Sequence, residues 1–184
     1  SAGYARTGVE VAVVDAHDTP LPPGQMGEIV TRSDLVMKGY WNNPQATEET
    51  LRNGWLHTGD VGYLDERGYL FLMDRSKDMI ISGGENIYPR EIEEAIIQHP
   101  AVREVAVIGI PDAEWGEAIK AVVALVPGGS ATEEELIAFC KEQIASYKKP
   151  KSIDFIDELP KNNYGKIVKR ELRDRYWSDH RRQV

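Results

Sequence analysis

The sequence has a single cysteine, Cys140, in 184 residues, so no intrachain disulfide is possible and a reducing cytosol fits. Cys140 follows Leu136-Ile137-Ala138-Phe139 in an amphipathic helical pattern, where a small buried side chain is expected rather than a nucleophile. No apolar run approaches the roughly 18 residues needed to span a bilayer, so no transmembrane helix is expected. The first residues, Ser1-Ala2-Gly3-Tyr4-Ala5-Arg6, lack an initiator Met, a basic n-region and an apolar h-region. They are not a signal peptide and read as cut rather than begun. No second His or carboxylate stands at ligand spacing from His57, which therefore reads as structural, and no metal site is expected. There is no internal repeat and no low-complexity tract.

With 41% apolar and 28% charged residues, the composition is that of a globular chain with room for one large domain or two small ones. The net charge of −8 is uneven: from Lys161 onward eight Lys/Arg face three Asp/Glu, leaving −13 for everything before. An acidic body argues against general nucleic-acid binding. The basic tail, with His180-Arg181-Arg182, reads mostly as a solvated helix end that could touch a phosphate.

Two patterns of organisation follow one another. Val9–Asp15 and Gly27–Arg32 carry strand signals, Leu21-Pro22-Pro23-Gly24 is a turn, and Asn43-Pro44 opens a short helix to Leu51. Gly62–Leu72 reads as a hairpin turning at Asp65 to Gly68. Residues 1–74 thus form a small β-rich unit. After Arg75, helical spacing over Pro89–Gln98 precedes strands at Val105–Ile110 and Ala118–Val126, separated by a Pro111-Asp112 turn and a Trp115-Gly116-Glu117 loop. Thr132 and Glu135 form a capping box for a helix to about Ser146. A strand at Ser152–Ile156 and a charged helix from Lys169 complete residues 75–184. Strands and helices mix without strict βαβ alternation, so the fold class is α+β with a small central sheet.

Three stretches could carry chemistry. In Trp55-Leu56-His57-Thr58-Gly59-Asp60 a carboxylate follows a Thr-Gly turn; it could accept from two vicinal hydroxyls, or merely bond its own backbone. In Asp74–Pro89 a charged cluster leads into a short apolar strand, a Gly83-Gly84 turn and a proline-started helix. Glycines there let backbone approach a narrow ligand, or simply make a β-turn. In Leu159–Arg170 the Gly165-Lys166 pair is not a P-loop: no glycine stands five residues earlier, and Ile167 occupies the Ser/Thr position.

In this order the three stretches resemble motifs of the acyl-adenylate-forming enzymes, the superfamily of acyl-CoA synthetases, adenylation domains and luciferase. The similarity runs from Val9 to Leu172. It implies that Asp60 holds the ATP ribose, that Arg75 reaches the same ribose, and that Lys77 is the pivot of a mobile C-terminal domain. It implies that Gly83 and Gly84 admit a pantetheine arm, and that Lys166 is the catalytic lysine bridging carboxylate and α-phosphate. Asn162 and Tyr164 depart from the usual Pro-x-Thr-x-Ser-Gly-Lys loop. The implied substrates are a carboxylic acid, ATP (leaving AMP on the acid) and CoA, with Mg2+ held by an N-terminal domain whose phosphate loop and acyl-pocket motifs do not occur here. The chain then reads as the end of the large domain (1–74) plus the mobile domain (75–184) of a cytoplasmic fatty-acid or organic-acid CoA ligase, inactive by itself. A carrier-protein-loading domain or acyl-AMP ligase, and a non-catalytic nucleotide-binding module, are the alternatives. Self-association through an exposed apolar patch on the β-rich unit is also expected.

Overall fold

The computed structural model describes residues 1–177 and divides the chain between Lys77 and Asp78 into two units. The basic tail His180-Arg181-Arg182 lies outside the described residues.

The first unit contains β1 (Glu10–Val14), β2 (Gly27–Arg32), α1 (Pro44–Thr50), β3 (Leu51–Arg52), β4 (Trp55–Leu64) and β5 (Leu70–Arg75). Its antiparallel sheet runs β1-β2-β4-β3, with β5 also on β4. Val13, Val14, Ile29, Val30 and Val61 are its buried apolar residues, in adjacent pairs on β1 and β2. Asn43 caps α1 by accepting from the Ala46 N–H at 3.1 Å, and Pro44 fills the first turn, where no N–H is needed. Asp65 closes the β4–β5 hairpin by accepting from the Arg67 and Tyr69 N–H groups at 2.9 and 2.8 Å. β4 begins at Trp55, well before the expected start at Gly62. The Thr-Gly-Asp triplet is consequently inside a strand and not after a turn.

A 3-10 turn over Ser76–Asp78 leads into the second unit. There follow β6 (Ile80–Ser82), β7 (Glu85–Ile87), α2 (Pro89–Ile96), β8 (Val102–Asp112), β9 (Gly116–Leu125), α3 (Glu133–Gln143), β10 (Ser152–Phe155) and α4 (Lys169–Arg173). β9 is the spine of the sheet. β8 pairs antiparallel along its whole length, while β10 lies parallel on the other side, from Ser152 facing Lys120 to Phe155 facing Val123. β6 touches it where Ser82 faces Gly116. The α+β class is the one expected, with one parallel pair among antiparallel neighbours.

Both faces of this sheet are covered, so β9 reads as a nearly continuous apolar run. Ile119, Ala121 and Val123 pack with Ile92 and Ile96 of α2 and with Leu136 and Cys140 of α3. Val122 packs on the opposite side with Ala106, Ile108, Leu159 and Leu172. Burying a side chain of this size contributes about 1.5–3 kcal/mol. The capping box at Thr132 and Glu135 is formed in both directions. The Pro111-Asp112 turn is corrected: β8 continues through both residues, which face Glu117 and Gly116. Proline fits there because β8 is an edge strand, where a missing N–H costs no ladder bond on the open side. The actual turn is Ala113–Trp115, closed by Asp112 accepting from the Glu114 and Trp115 N–H groups, both at 3.0 Å.

Cys140 is fully buried, and burial, with Glu91 adding to it, pushes its thiol up to about 11. The native protein is therefore expected to resist a thiol-alkylating reagent at neutral pH and to react at one site once denatured. Rapid modification of the folded chain would contradict that placement.

Candidate functional site

The Thr58-Gly59-Asp60 segment is a bulge. Glu28 faces Val61 and Val30 faces His57, so three residues of β4 stand opposite Ile29 alone. Gly59 takes φ +69, a conformation that other residues rarely adopt. Thr58 Oγ1 donates to the Ile29 carbonyl at 2.7 Å and accepts from the Asp60 N–H at 3.1 Å. Glu28 holds the bulge from beneath. Its Oε1 accepts from the Gly59 N–H at 3.1 Å and its Oε2 lies 2.9 Å from His57 Nδ1. His57 is 7% exposed between Glu28 and Asp18, whose Oδ1 is 3.8 Å from its Nε2. It thus belongs to the scaffold under the bulge.

What the bulge presents is Asp60. Asp60 and Arg75 face each other across β4 and β5, with Arg75 Nε 3.0 Å from Asp60 Oδ1 and side chains 43% and 39% exposed for Arg75 and Asp60. The N–H is not aimed along that contact, which makes it an ion pair and not a hydrogen bond. Arg75 Nη2 also reaches the Thr58 carbonyl at 3.4 Å, and Ser76 Oγ donates to the Gly59 carbonyl at 3.2 Å. An exposed pair of this kind contributes about 0–1 kcal/mol to stability. Its chemistry is that of a carboxylate oriented at the surface, able to accept from a diol.

Lys77 ends the first unit, in the middle of the 3-10 turn. The next residue is fixed within the second unit, Asp78 Oδ1 lying 2.7 Å from Arg173 Nη1 of α4. Gly83 and Gly84 form the two-residue loop of a hairpin, Ser82 facing Glu85, with φ +60 and +84. Positive φ at both positions is the mark of a type I′ turn. The strand after it, β7, is absent from the sequence expectation. The two glycines differ. A Cβ on Gly83 would stand 2.6 Å from Trp115 Cε3, whereas one on Gly84 would meet nothing within 4 Å.

Beside this hairpin lies a groove of about 640 Å³, bounded by Gly83, Ile87, Trp115, Ile119, Tyr147 and Lys149. Sequence reasoning missed it. Trp115 comes from the β8–β9 turn and Tyr147 and Lys149 from a segment some thirty residues on, and no local pattern links the two. Lys151, also on its wall, is tied to Asp112 at 2.6 Å, and that contact with the turn N–H groups holds the Asp112 carboxyl down to about 2.

Lys166 lies in a loop stapled by the Lys161–Ile167 bridge. Asn162 Oδ1 accepts from the Tyr164 and Lys166 N–H groups, both at 3.0 Å, and Gly165 turns with φ +77. Tyr164, whose bulk departs from the family pattern, is 95% exposed and disturbs nothing. The neighbouring lysines are tied down. Lys161 Nζ is 2.5 Å from Glu104 Oε1, and Lys169 Nζ is 2.8 Å from Glu93 Oε1. Lys166 is exposed, and among the described residues no carboxylate pairs with it. Among the described residues no group of three or more His, Cys, Asp or Glu is placed to hold a metal ion.

The model of AMP-binding enzymes matches residues 1–41, and that of the AMP-binding enzyme C-terminal domain matches residues 91–166. The chain belongs to this adenylate-forming family. It is 54% identical over 153 residues to a 2-succinylbenzoate–CoA ligase of Bacillus mycoides, covering 83% of this chain and 31% of that protein. It is 47% identical over 184 residues to the fatty acid–[acyl-carrier-protein] ligase ScoC of Streptomyces coeruleorubidus, covering 100% of this chain and 36% of that protein. The crystal structure of ATP-bound MatB from Rhodopseudomonas palustris matches 96% of this chain and 35% of its own, with a TM-score of 0.89 and 41% identity. The chain thus spans about a third of the length of the curated relatives it matches.

Proposed function

We propose that the protein activates a carboxylic acid, a fatty or related organic acid, with ATP as acyl-AMP, releases pyrophosphate, and passes the acyl group to CoA. The observation that carries this reading is Lys166, an exposed ammonium without a partner among the described residues, between two lysines that are each ion-paired. A lysine left unpaired is available to a ligand.

Each residue then has a role that its surroundings support. Asp60 accepts from the ribose hydroxyls through its carboxylate, and Arg75 keeps that carboxylate turned outward while reaching the same sugar. Lys166 bridges the attacking carboxylate and the α-phosphate, offsetting negative charge as the mixed anhydride forms. Adenylation replaces a poor leaving group, hydroxide, by a good one, AMP, so the thiol attack that follows is the easier of two steps. Lys77 is the pivot between the two half-reactions: a solvated backbone turn absorbs a φ/ψ change at little packing cost. Gly83 and Gly84 let a pantetheine arm approach, Gly84 being the open one. Mg2+ belongs to this reading only through residues outside this chain, and no step here runs through it.

The groove favours CoA over a carrier protein as acceptor. Its indole and phenol rings suit a purine, and Lys149 suits a phosphate. The relatives named above differ in both acid and acceptor, so similarity alone does not separate these readings. Transfer to a carrier protein with none to CoA would favour the carrier-loading reading; nucleotide binding with no exchange in any context would favour a non-catalytic module. A single buried thiol is consistent with a cytoplasmic setting.

These 184 residues contain no Ser/Thr/Gly-rich phosphate loop. The chain alone is therefore expected to fold without releasing pyrophosphate from ATP and a carboxylate, and the same chain joined to the upstream domain is expected to catalyse ATP–pyrophosphate exchange. Carboxylate-dependent release by the chain alone would remove the division of labour proposed here.

A further inference from the structure

We propose that Asn162 is the positioning residue for Lys166, setting where the ammonium stands by fixing the backbone on both sides of it. This rests on the reading of Lys166 as the lysine of the adenylation step. Four hydrogen bonds meet at Asn162. Its Oδ1 accepts from the N–H of Tyr164 and of Lys166, both at 3.0 Å. Its own N–H donates to the Lys166 carbonyl, and its carbonyl accepts from the Gly165 N–H, each at 2.9 Å. Two of the four therefore involve the peptide groups of Lys166 itself.

Little else on the loop could do this. Residues 161–166 are all exposed, so no apolar core holds them. Tyr164 points into solvent, and the Lys161–Ile167 bridge with the Val168 N–H on the Pro160 carbonyl (2.8 Å) closes only the base of the loop. With its side chain unpaired among the described residues, Lys166 is located from its backbone alone. The asparagine amide is well suited to the task. Its carbonyl reaches N–H groups two and four residues on, which a hydroxyl does more weakly and alanine not at all.

The test uses the full-length enzyme and four variants: Asn162→Ala, Asn162→Ser, Lys166→Ala and the double Asn162→Ala/Lys166→Ala. A misplaced catalytic group costs up to about 10²-fold. Asn162→Ala is accordingly expected to lower kcat for ATP–pyrophosphate exchange by about 10- to 100-fold, with KM for ATP and acid changed less than about twofold. Asn162→Ser should recover part of the loss. The double variant should be no slower than Lys166→Ala, because Asn162 has nothing left to position. Undiminished exchange in Asn162→Ala, or a further loss in the double variant, would overturn the positioning role while leaving Lys166 catalytic. Full exchange by Lys166→Ala would instead overturn the reading of Lys166, and this inference with it.

Discussion

Lys166→Ala in the full-length enzyme is expected to lower ATP–pyrophosphate exchange by about 10²–10³-fold, the usual effect of removing one charge-stabilising group from a transition state. Its melting temperature should stay that of the wild type. Both halves follow from the surroundings of the residue. The ammonium is exposed and has no ion-pair partner among the described residues, so removing it breaks no contact that holds the fold. Lys169 gives the contrast. Its ion pair with Glu93 has side chains only 16% and 20% exposed, so Lys169→Ala should cost stability while largely sparing exchange. Lys166→Arg should not restore the rate in full, because a planar guanidinium fork cannot replace a compact point charge on a flexible stem. Exchange kinetics and thermal melts of the three variants decide the matter. Equal losses of activity in Lys166→Ala and Lys169→Ala would mean that the basic loop acts only as a diffuse field.

The elements that the sequence announces are those whose signals are local. Asn43 with Pro44, and Thr132 with Glu135, state a helix start within four residues, and both caps are formed. The elements that stay hidden depend on a partner distant in sequence. Glu85-Asn86-Ile87 has no apolar period, and it is a strand only because β6 lies alongside. Thr58-Gly59-Asp60 has the composition of a turn; that it is a bulge is decided by Ile29, which donates no residues to the motif but accepts from Thr58. Pro111 looks like a strand end, yet an edge position lets the strand continue. The candidate site divides in the same way. Asp60, Arg75, Gly83, Gly84 and Lys166 sit in contiguous motifs and are legible, but the wall formed by Trp115, Tyr147 and Lys149 is assembled by β9 and β10 drawing separate loops together. Asn162 stands between: visible as a departure from a pattern, its work unreadable until the loop's hydrogen bonds are known.

The two glycines of the β6–β7 hairpin should separate when each is replaced by alanine. At both positions positive φ costs an L-residue about 1–2 kcal/mol. At Gly84 that is the whole cost, since the methyl enters open space. At Gly83 the methyl would stand 2.6 Å from the Trp115 ring, so the indole must move or the hairpin must bend, adding about 1–3 kcal/mol of overpacking. Gly83→Ala is thus expected to destabilise the second unit by about 2–5 kcal/mol, and Gly84→Ala by about 1–2 kcal/mol. For a unit of this size each kcal/mol lowers the melting temperature by about 4–8 °C, so the two variants should be well resolved by calorimetry. The functional consequences should run the other way in specificity. Displacing Trp115 reshapes the groove wall along with the fold, whereas a methyl on Gly84 leaves the fold nearly intact and narrows the open backbone at the tip of the hairpin. If a pantetheine arm passes there, Gly84→Ala retains ATP–pyrophosphate exchange and loses thioester formation. Equal stability of the two variants would show that Trp115 yields without cost, and unimpaired thioester formation by Gly84→Ala would move the acceptor's path away from this hairpin.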